Sequence, residues 1–281
     1  MPGRVAVVTD SAACLPGDLA ELHHVLVVPL RVLAGDVAVD DGAAALPEVI
    51  EEQLRAGQRL STARPAPERF AAAYAAAAAQ GAAAVVSVHL SGQLSGTIAS
   101  ATLAAAGAPL PVHVVDSRSI GMGLGLAVLA AAAAAAGRQP AADVAAAASR
   151  CSGRLGSFFA LDTPDQLRAG GRLGPAPVPR GGGLTARPLL HVRDGKIALL
   201  ERVRTLSAAA ARLEDLAVGF AADGPVDLAV QHLGNPRRAA DLAGRLALAI
   251  PRARHCYLAE AGAAIRAHTG PSMLGVAVAP L

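Results

Sequence analysis

The sequence predicts an α/β protein with a parallel sheet in its first part and a mixed sheet in its second. Three observations predict it. From residue 4 to about residue 151, short β-rich runs alternate with helical stretches, the signature of strands joined by crossover helices. Beyond that point Asp194-Gly195 separates two β-rich runs, a hairpin signal that brings in antiparallel pairing. Polar residues gather where apolar runs end, at Thr9-Asp10-Ser11, from Ser91 to Thr97, and at Asp116-Ser117. Ligands on parallel sheets collect at such carboxyl ends. The polar, Gly-containing stretch 151–156 divides the two patterns, so the expected domains are 1–153 and 154–281.

The elements follow in order. Residues 4–8 form a strand, Leu15-Pro16 opens a helix to residue 22, and residues 25–33 form a second strand. A short strand is expected over 36–40, closed by Asp41-Gly42, and a helix over 46–56, whose first turn tolerates Pro47. Residues 60–65 read as a polar loop before a helix over 67–79, with Phe70 and Tyr74 at helical spacing. Residues 82–88 are an apolar strand and 112–115 another. The uncharged run 119–137 is mostly Ala and Gly, too poor in Leu, Ile and Phe for a membrane span, and reads as a packed helix over 121–136. A further helix reaches about Cys151. The second part gives a strand over 157–161, a short helix over 163–169 stopped by Gly170-Gly171, and a Pro/Gly-rich loop over 175–183. The hairpin strands 189–193 and 196–203 come next. Helices over 206–221, 236–249 and 260–267 then alternate with strands over 226–232, 254–258 and 274–278.

Composition excludes several function classes. The chain has 281 residues, enough for a sizeable core, and is 53% hydrophobic but only 2% aromatic. Lys196 is its one lysine, which removes a G-K-[ST] phosphate loop and leaves any Schiff-base chemistry to a turn residue. A net charge of +3 with scattered arginines and almost no aromatics to stack on bases argues against nucleic acid. The three cysteines, Cys14, Cys151 and Cys256, lie far apart without metal spacing or an even count. With no signal peptide before the first strand, the expectation is a cytoplasmic protein.

The strongest local signal is residues 85–97, VVSVHLSGQLSGT. It reads as strand, tight turn and helix start, with Ser95, Gly96 and Thr97 where helical N–H groups lack internal partners and the dipole is positive. Gly96 offers no side chain to block a ligand, and Ser91, Ser95 and Thr97 add hydroxyls. A carboxylate or phosphate would suit this anion site, which lacks a formal positive charge. Plain N-capping by Ser95 or Thr97 is the competing account, and taken alone the stronger one. Asp10 and Asp116 read first as turn and capping residues.

Nine segments in fixed order carry a resemblance: VAVVTDSAACLP at 5–16, VVPLRV at 27–32, STARPAPERF at 61–70, HLSGQLSGT at 89–97, VVDSRSIGMGLG at 114–125, DQLRAGGRLG at 165–174, RPLLHVRDGKI at 187–197, VRT at 203–205 and HTGPSMLG at 268–275. The chain resembles the DegV family of bacterial fatty-acid-binding proteins. The resemblance implies two α/β domains with a long-chain fatty acid between them, its acyl chain in an apolar tunnel and its carboxylate at polar loops. It implies a lipid-binding subunit, non-catalytic alone and without a cofactor, that presents the acid to a separate ATP-using fatty-acid kinase subunit for acyl-phosphate formation. Residue by residue, Ser95 matches a serine on the carboxylate, with the Gly96 N–H beside it. Thr62 matches a threonine of a T-S-Q-P loop and His268 a histidine of an H-x-G-P loop, both near the head group. Arg172 and Arg204 match arginines tied to kinase engagement and phosphoryl transfer.

The residue chemistry agrees, since hydroxyls and N–H groups hold a carboxylate and arginine suits phosphate. A protonated His268 would also offset an acyl phosphate's charge. Four departures bear on detail: Ala63-Arg64 replaces the Ser-Gln pair of the T-S-Q-P loop, Ala186-Arg187-Pro188 stands for I-K-P, the 175–183 loop lacks apolar character, and Ser272 follows Pro271. Rival readings are a lipid sensor of the same fold without a kinase partner and a serine hydrolase using Ser95, although Gly92-Gln93-Leu94-Ser95-Gly96 is not G-x-S-x-G. A dinucleotide enzyme fails because Leu126 occupies the last glycine position of the fingerprint that starts at Gly121.

Overall fold

The computed structural model describes residues 3–44, 46–55, 59–174, 186–222 and 224–281. The expected 175–183 loop lies outside the described residues, as does Ala56 of the expected helix 46–56. The alternating first part builds a four-stranded, all-parallel sheet from β1 (Val5–Asp10), β2 (Val25–Val28), β6 (Ala84–His89) and β7 (Val112–Asp116), in the order β2-β1-β6-β7. Its connections include α1 (Gly17–Leu22), α2 (Leu46–Arg55), α3 (Pro67–Ala79) and α4 (Thr97–Ala105).

The expected strand over 25–33 is two strands in two sheets. Pro29 has no N–H to extend a ladder, and the Leu30 N–H turns to the Ser11 hydroxyl at 3.1 Å. After that break β3 (Arg31–Ala34) joins a small antiparallel sheet with β4 (Val37–Asp40) on one side and β5 (Leu60–Ala63) on the other. Residues 60–63 are therefore a strand rather than the polar loop that the sequence suggests. Pairing to β3 supplies the order that their composition does not, and it sets Thr62 opposite Val32.

The second part forms a six-stranded mixed sheet, β10-β9-β8-β13-β11-β12. Its strands are β8 (Gly156–Leu161), β9 (Arg187–Arg193), β10 (Lys196–Val203), β11 (Val226–Leu233), β12 (Ala253–Glu260) and β13 (Met273–Pro280). β9 and β10 are the predicted hairpin, with Asp194 and Gly195 both at positive φ in its turn. β11 and β12 are parallel, joined through α9 (Pro236–Ala249), and the remaining pairs are antiparallel. α8 (Leu206–Ala221) and α9 cover one face of this sheet. The last helix, α10 (Ala263–Thr269), starts three residues later than expected because Glu260 stays in β12 and Gly262 serves as its N-cap.

α5 (Met122–Ala136) joins the two halves. It is apolar all round, as a helix buried on every side must be, and it packs on β1 and β6 of one sheet and on β11 and β13 of the other. Its close approach depends on small residues. A Cβ on Gly125 would lie 2.8 Å from the Ala13 carbonyl oxygen. α6 (Ala141–Gly153) pairs with it, and α7 (Asp165–Ala169) follows β8.

Candidate functional site

β6 carries its polarity at its end. His89 is fully buried there, its Nδ1 2.9 Å from Asp10 Oδ2 and its Nε2 2.7 Å from Ser87 Oγ. Tyr74 donates its hydroxyl to Ser87 at 3.0 Å. Asp10 also accepts the N–H of Ala12 at 3.0 Å and that of Leu90 at 3.1 Å. Asp10 is thus the turn residue that the sequence suggests, and in addition it anchors the first residue of the 90–96 loop from another strand. Asp116 acts similarly, accepting from Arg118 N at 2.7 Å and Gly92 N at 3.2 Å. Ser87, His89 and Asp10 have the residue types of a hydrolytic triad. None is solvent-exposed and Tyr74 occupies the serine, so they act as scaffold.

The loop then turns on Ser91, whose carbonyl accepts from Leu94 N and Ser95 N. Ser91 also donates its hydroxyl to the Gly195 carbonyl in the β9–β10 hairpin at 2.7 Å, tying the two halves together. Ser95 Oγ lies 2.9 Å from Thr97 Oγ1 and accepts the Thr97 N–H at 3.3 Å. The helix α4 begins at Thr97, with Gly96 as its N-cap. Neither Ser95 nor Thr97 is the N-cap: that position is Gly96, which has no side chain to cap with, and the N–H that Ser95 Oγ accepts is that of Thr97, the first residue of the helix.

Beside this loop runs a narrow cavity of about 60 Å³ between the sheets. Leu30, Leu90, Ile120, Phe159, Ile197 and Met273 give its wall an apolar character. Thr62, Ser95, Arg172 and His268 also line it, and Thr62, Arg172 and His268 line a wider cleft of about 710 Å³ as well. Those three side chains mark the mouth, where a greasy interior meets a polar opening. Thr62 Oγ1 is 2.7 Å from His268 Nε2. Arg172 donates from Nε to the Leu94 carbonyl at 3.3 Å and from Nη1 to the Gly170 carbonyl. α10, which carries His268, is held at its other end by buried Asp41, which accepts the Ala264 N–H at 3.3 Å. Burial pushes the Asp41 carboxyl above the usual range, and hydrogen bonds from Ser11 and the α10 amides offset part of that push.

Four of the six predicted site residues are brought together: Thr62, Ser95, Arg172 and His268. Gly96 adjoins Ser95 but does not line the cavity. Arg204 is exposed in the turn between β10 and α8 and lines neither cavity nor cleft. The expected absence of a formal positive charge does not hold. Arg172 stands in the wall, and the guanidinium of exposed Arg64 lies over Gly96, where an added Cβ would be 2.5 Å from Arg64 Nη1. His268 is not the second cation. Burial, and then the charge of Arg172, lower its pKa to about 4, so it meets a ligand as a neutral ring at pH 7. No hydrogen bond joins Ser95 to His268, whose ring partner is Thr62, so the pair that a serine hydrolase needs is not assembled.

Sequence reasoning missed Ser157 and Gln231, which line the inner cavity. For Ser157 the signal open to it was a lone polar residue in the otherwise apolar strand β8; Gln231 shares β11 with Asp227 and His232 and gave no such signal. Among the described residues no helix is long and apolar enough to cross a membrane.

The family model described as "Uncharacterised protein, DegV family" matches residues 4–281. A DegV domain-containing protein of Streptomyces coelicolor is 43% identical over 278 residues, which is 99% of each chain. Among solved structures, a DegV family protein from Thermus thermophilus, described by its fatty acid binding, is similar with a TM-score of 0.91 and 31% identity, over 99% of this chain and 100% of its own. DegV of Bacillus subtilis, described as a fatty acid binding protein, is similar with a TM-score of 0.86 and 27% identity, over 99% and 100%.

Proposed function

The chain belongs to the DegV family, and from that premise we propose that it binds a long-chain fatty acid and presents it to a separate fatty-acid kinase subunit in the cytoplasm. The acyl chain lies in the cavity between a unit of residues 1–153 and a unit of residues 154–281. The carboxylate sits at the mouth, held by the hydroxyls of Thr62 and Ser95, the Gly96 N–H and neutral His268, with Arg172 supplying the compensating charge. The partner makes the acyl phosphate, and this chain is not an enzyme alone. Arg172 and exposed Arg204 meet the partner and the transferred phosphoryl group.

One observation carries this: the only charged side chain lining the narrow cavity, among the described residues, is Arg172, and it stands at the mouth. A largely apolar channel whose one charged side chain stands at its mouth fits an amphiphile whose single charge is terminal. Burying that charge deeper, away from donors, would cost too much. Two relatives described as binding fatty acids share the fold over almost their whole length.

Native mass spectrometry of the purified protein, followed by extraction and identification of the released lipid, tests this. The expected result is one fatty acid per chain, with retention reduced about tenfold or more in Ser95→Ala while far-UV circular dichroism stays unchanged, as for a lost hydrogen bond to a charged group. A protein that is empty and also refuses added palmitate and oleate refutes the ligand class. Full retention in Ser95→Ala refutes the head-group placement alone.

A further inference from the structure

The inner part of the cavity is not uniformly apolar. Ser157 on β8 and Gln231 on β11 both line it, and they are 4% and 7% exposed. Residues two apart on a strand share a face, so Ser157 shares the face of Phe159 and Leu161, which belong to the core between the sheets. Phe158 and Ala160 belong to the core on the other side, beneath α8 and α9. Gln231 pairs across Gly275, which in turn pairs with Phe159, and so stands on the same face. The two polar side chains therefore flank Phe159 on the wall of one channel.

Their hydrogen-bonding capacity is not used up. Gln231 Oε1 accepts the Met122 N–H at 2.7 Å, which leaves the amide Nε2 pointing its donors elsewhere, and Nε2 has no partner among the described residues. Ser157 Oγ has none either. Other unpartnered polar atoms, such as Ser119 Oγ and His232 Nδ1, are sealed inside the protein. Ser157 and Gln231 differ in that both residues line the open space of the cavity. A plain alkyl chain packed there would strip both atoms of water and return no hydrogen bond.

We propose that this channel is built for an acyl chain carrying an oxygen part-way along its length, a hydroxyl or a keto group, which takes a hydrogen bond from Gln231 Nε2 or Ser157 Oγ according to its position. The proposal rests on the lipid-binding function above and names the class of lipid. Glutamine and serine suit it because the donor is neutral: a charged residue in this wall would have to be paired or desolvated at far greater cost. An ordered water could supply the same oxygen beside an unsubstituted chain, and affinity separates the two sources.

The experiment is calorimetric titration of the full chain, stripped of lipid, with stearate and with a positional series of monohydroxystearates. At least one isomer is expected to bind about fivefold to tenfold more tightly than stearate, the gain from one net hydrogen bond. The ratio of that isomer to stearate should fall to near one in Ser157→Ala or in Gln231→Leu. Gln231→Leu also removes the acceptor of the Met122 N–H, so Ser157→Ala, together with an isomer carrying its oxygen at the serine, keeps the test readable if the glutamine variant does not fold. Stearate binding as tightly as every isomer overturns the proposal and assigns the two polar atoms to water. A preferred isomer whose advantage survives both substitutions overturns the residue assignment. A protein that binds neither stearate nor any isomer overturns the lipid-binding reading itself.

Discussion

Removing the Asp10 carboxylate should both destabilise the protein and loosen the 90–96 loop. Asp10 is fully buried and accepts three hydrogen bonds, from Ala12 N at 3.0 Å, Leu90 N at 3.1 Å and His89 Nδ1 at 2.9 Å. Asp10→Ala leaves all three donors without an acceptor in a dry interior. Each orphaned group costs about 1–3 kcal/mol. Relaxation and an entering water recover part of that sum, so about 3–5 kcal/mol is expected, the range found when one partner of a buried pair is deleted. Asp10→Asn keeps the volume and one acceptor oxygen but turns an NH2 toward the donors, and should fall between the two. Urea unfolding measures the change. It should be followed by far-UV circular dichroism, because the chain has no tryptophan and two tyrosines. Hydrogen exchange at Leu90 and the following amides supplies the local readout and should speed up in both variants. An unfolding free energy for Asp10→Ala within about 1 kcal/mol of wild type at equal m, with Leu90 still protected, would refute the argument that this carboxylate holds the loop.

Two further outcomes follow from the same geometry. Arg204→Ala should leave lipid retention unchanged, since Arg204 lies outside the cavity, yet slow acyl-phosphate formation in the presence of a fatty-acid kinase subunit; equal rates would remove Arg204 from its role. His268 links stability to pH. Its pKa is lowered from 6.5 to about 4 by burial and by Arg172, so between those values the unfolded chain binds a proton that the folded chain does not, and stability falls as pH falls through that window. Allowing for its partial exposure, this amounts to about 1–2 kcal/mol. Urea midpoints measured at pH 7 and pH 4.5 should therefore converge more closely in His268→Gln than in wild type, and an unchanged gap would show that the slope belongs to other groups.

What the sequence made legible was what is encoded over short spans. The turn at Asp194-Gly195, the helix start at Ser95 to Thr97 and the all-round burial of α5 each depend on residues within a few positions of one another. The strand break at Pro29 was local too, but its consequence was not. A proline marks where a ladder stops without telling which sheet the chain enters next, and Leu30 settles that through a hydroxyl 19 residues away. β5 escaped notice because a four-residue edge strand with two hydroxyl residues has the composition of a loop until β3 pairs with it. Only the family resemblance puts Thr62 and His268 near one head group; their contact spans 206 residues, a separation that no periodicity reports.

The charge at the mouth shows why a motif match underdetermines a site. Hydroxyls and amides alone could hold a carboxylate, and the strings around Ser95 and Thr62 suggested no more than that. Folding adds Arg172 from the end of α7, fixed through the Leu94 and Gly170 carbonyls, and lays Arg64 over Gly96 from the loop after β5. Arg172 is half-buried and tied down, so its attraction for an anion acts in a lower dielectric than water and resists screening. Arg64 is exposed, and salt screens its share. Burial, and after it the fixed charge of Arg172, keeps His268 neutral. The mouth therefore carries one firm cation, Arg172, and a neutral ring, with a second, screened cation over Gly96 nearby; the proposed carboxylate would meet that balance of charge rather than hydroxyls and amides alone.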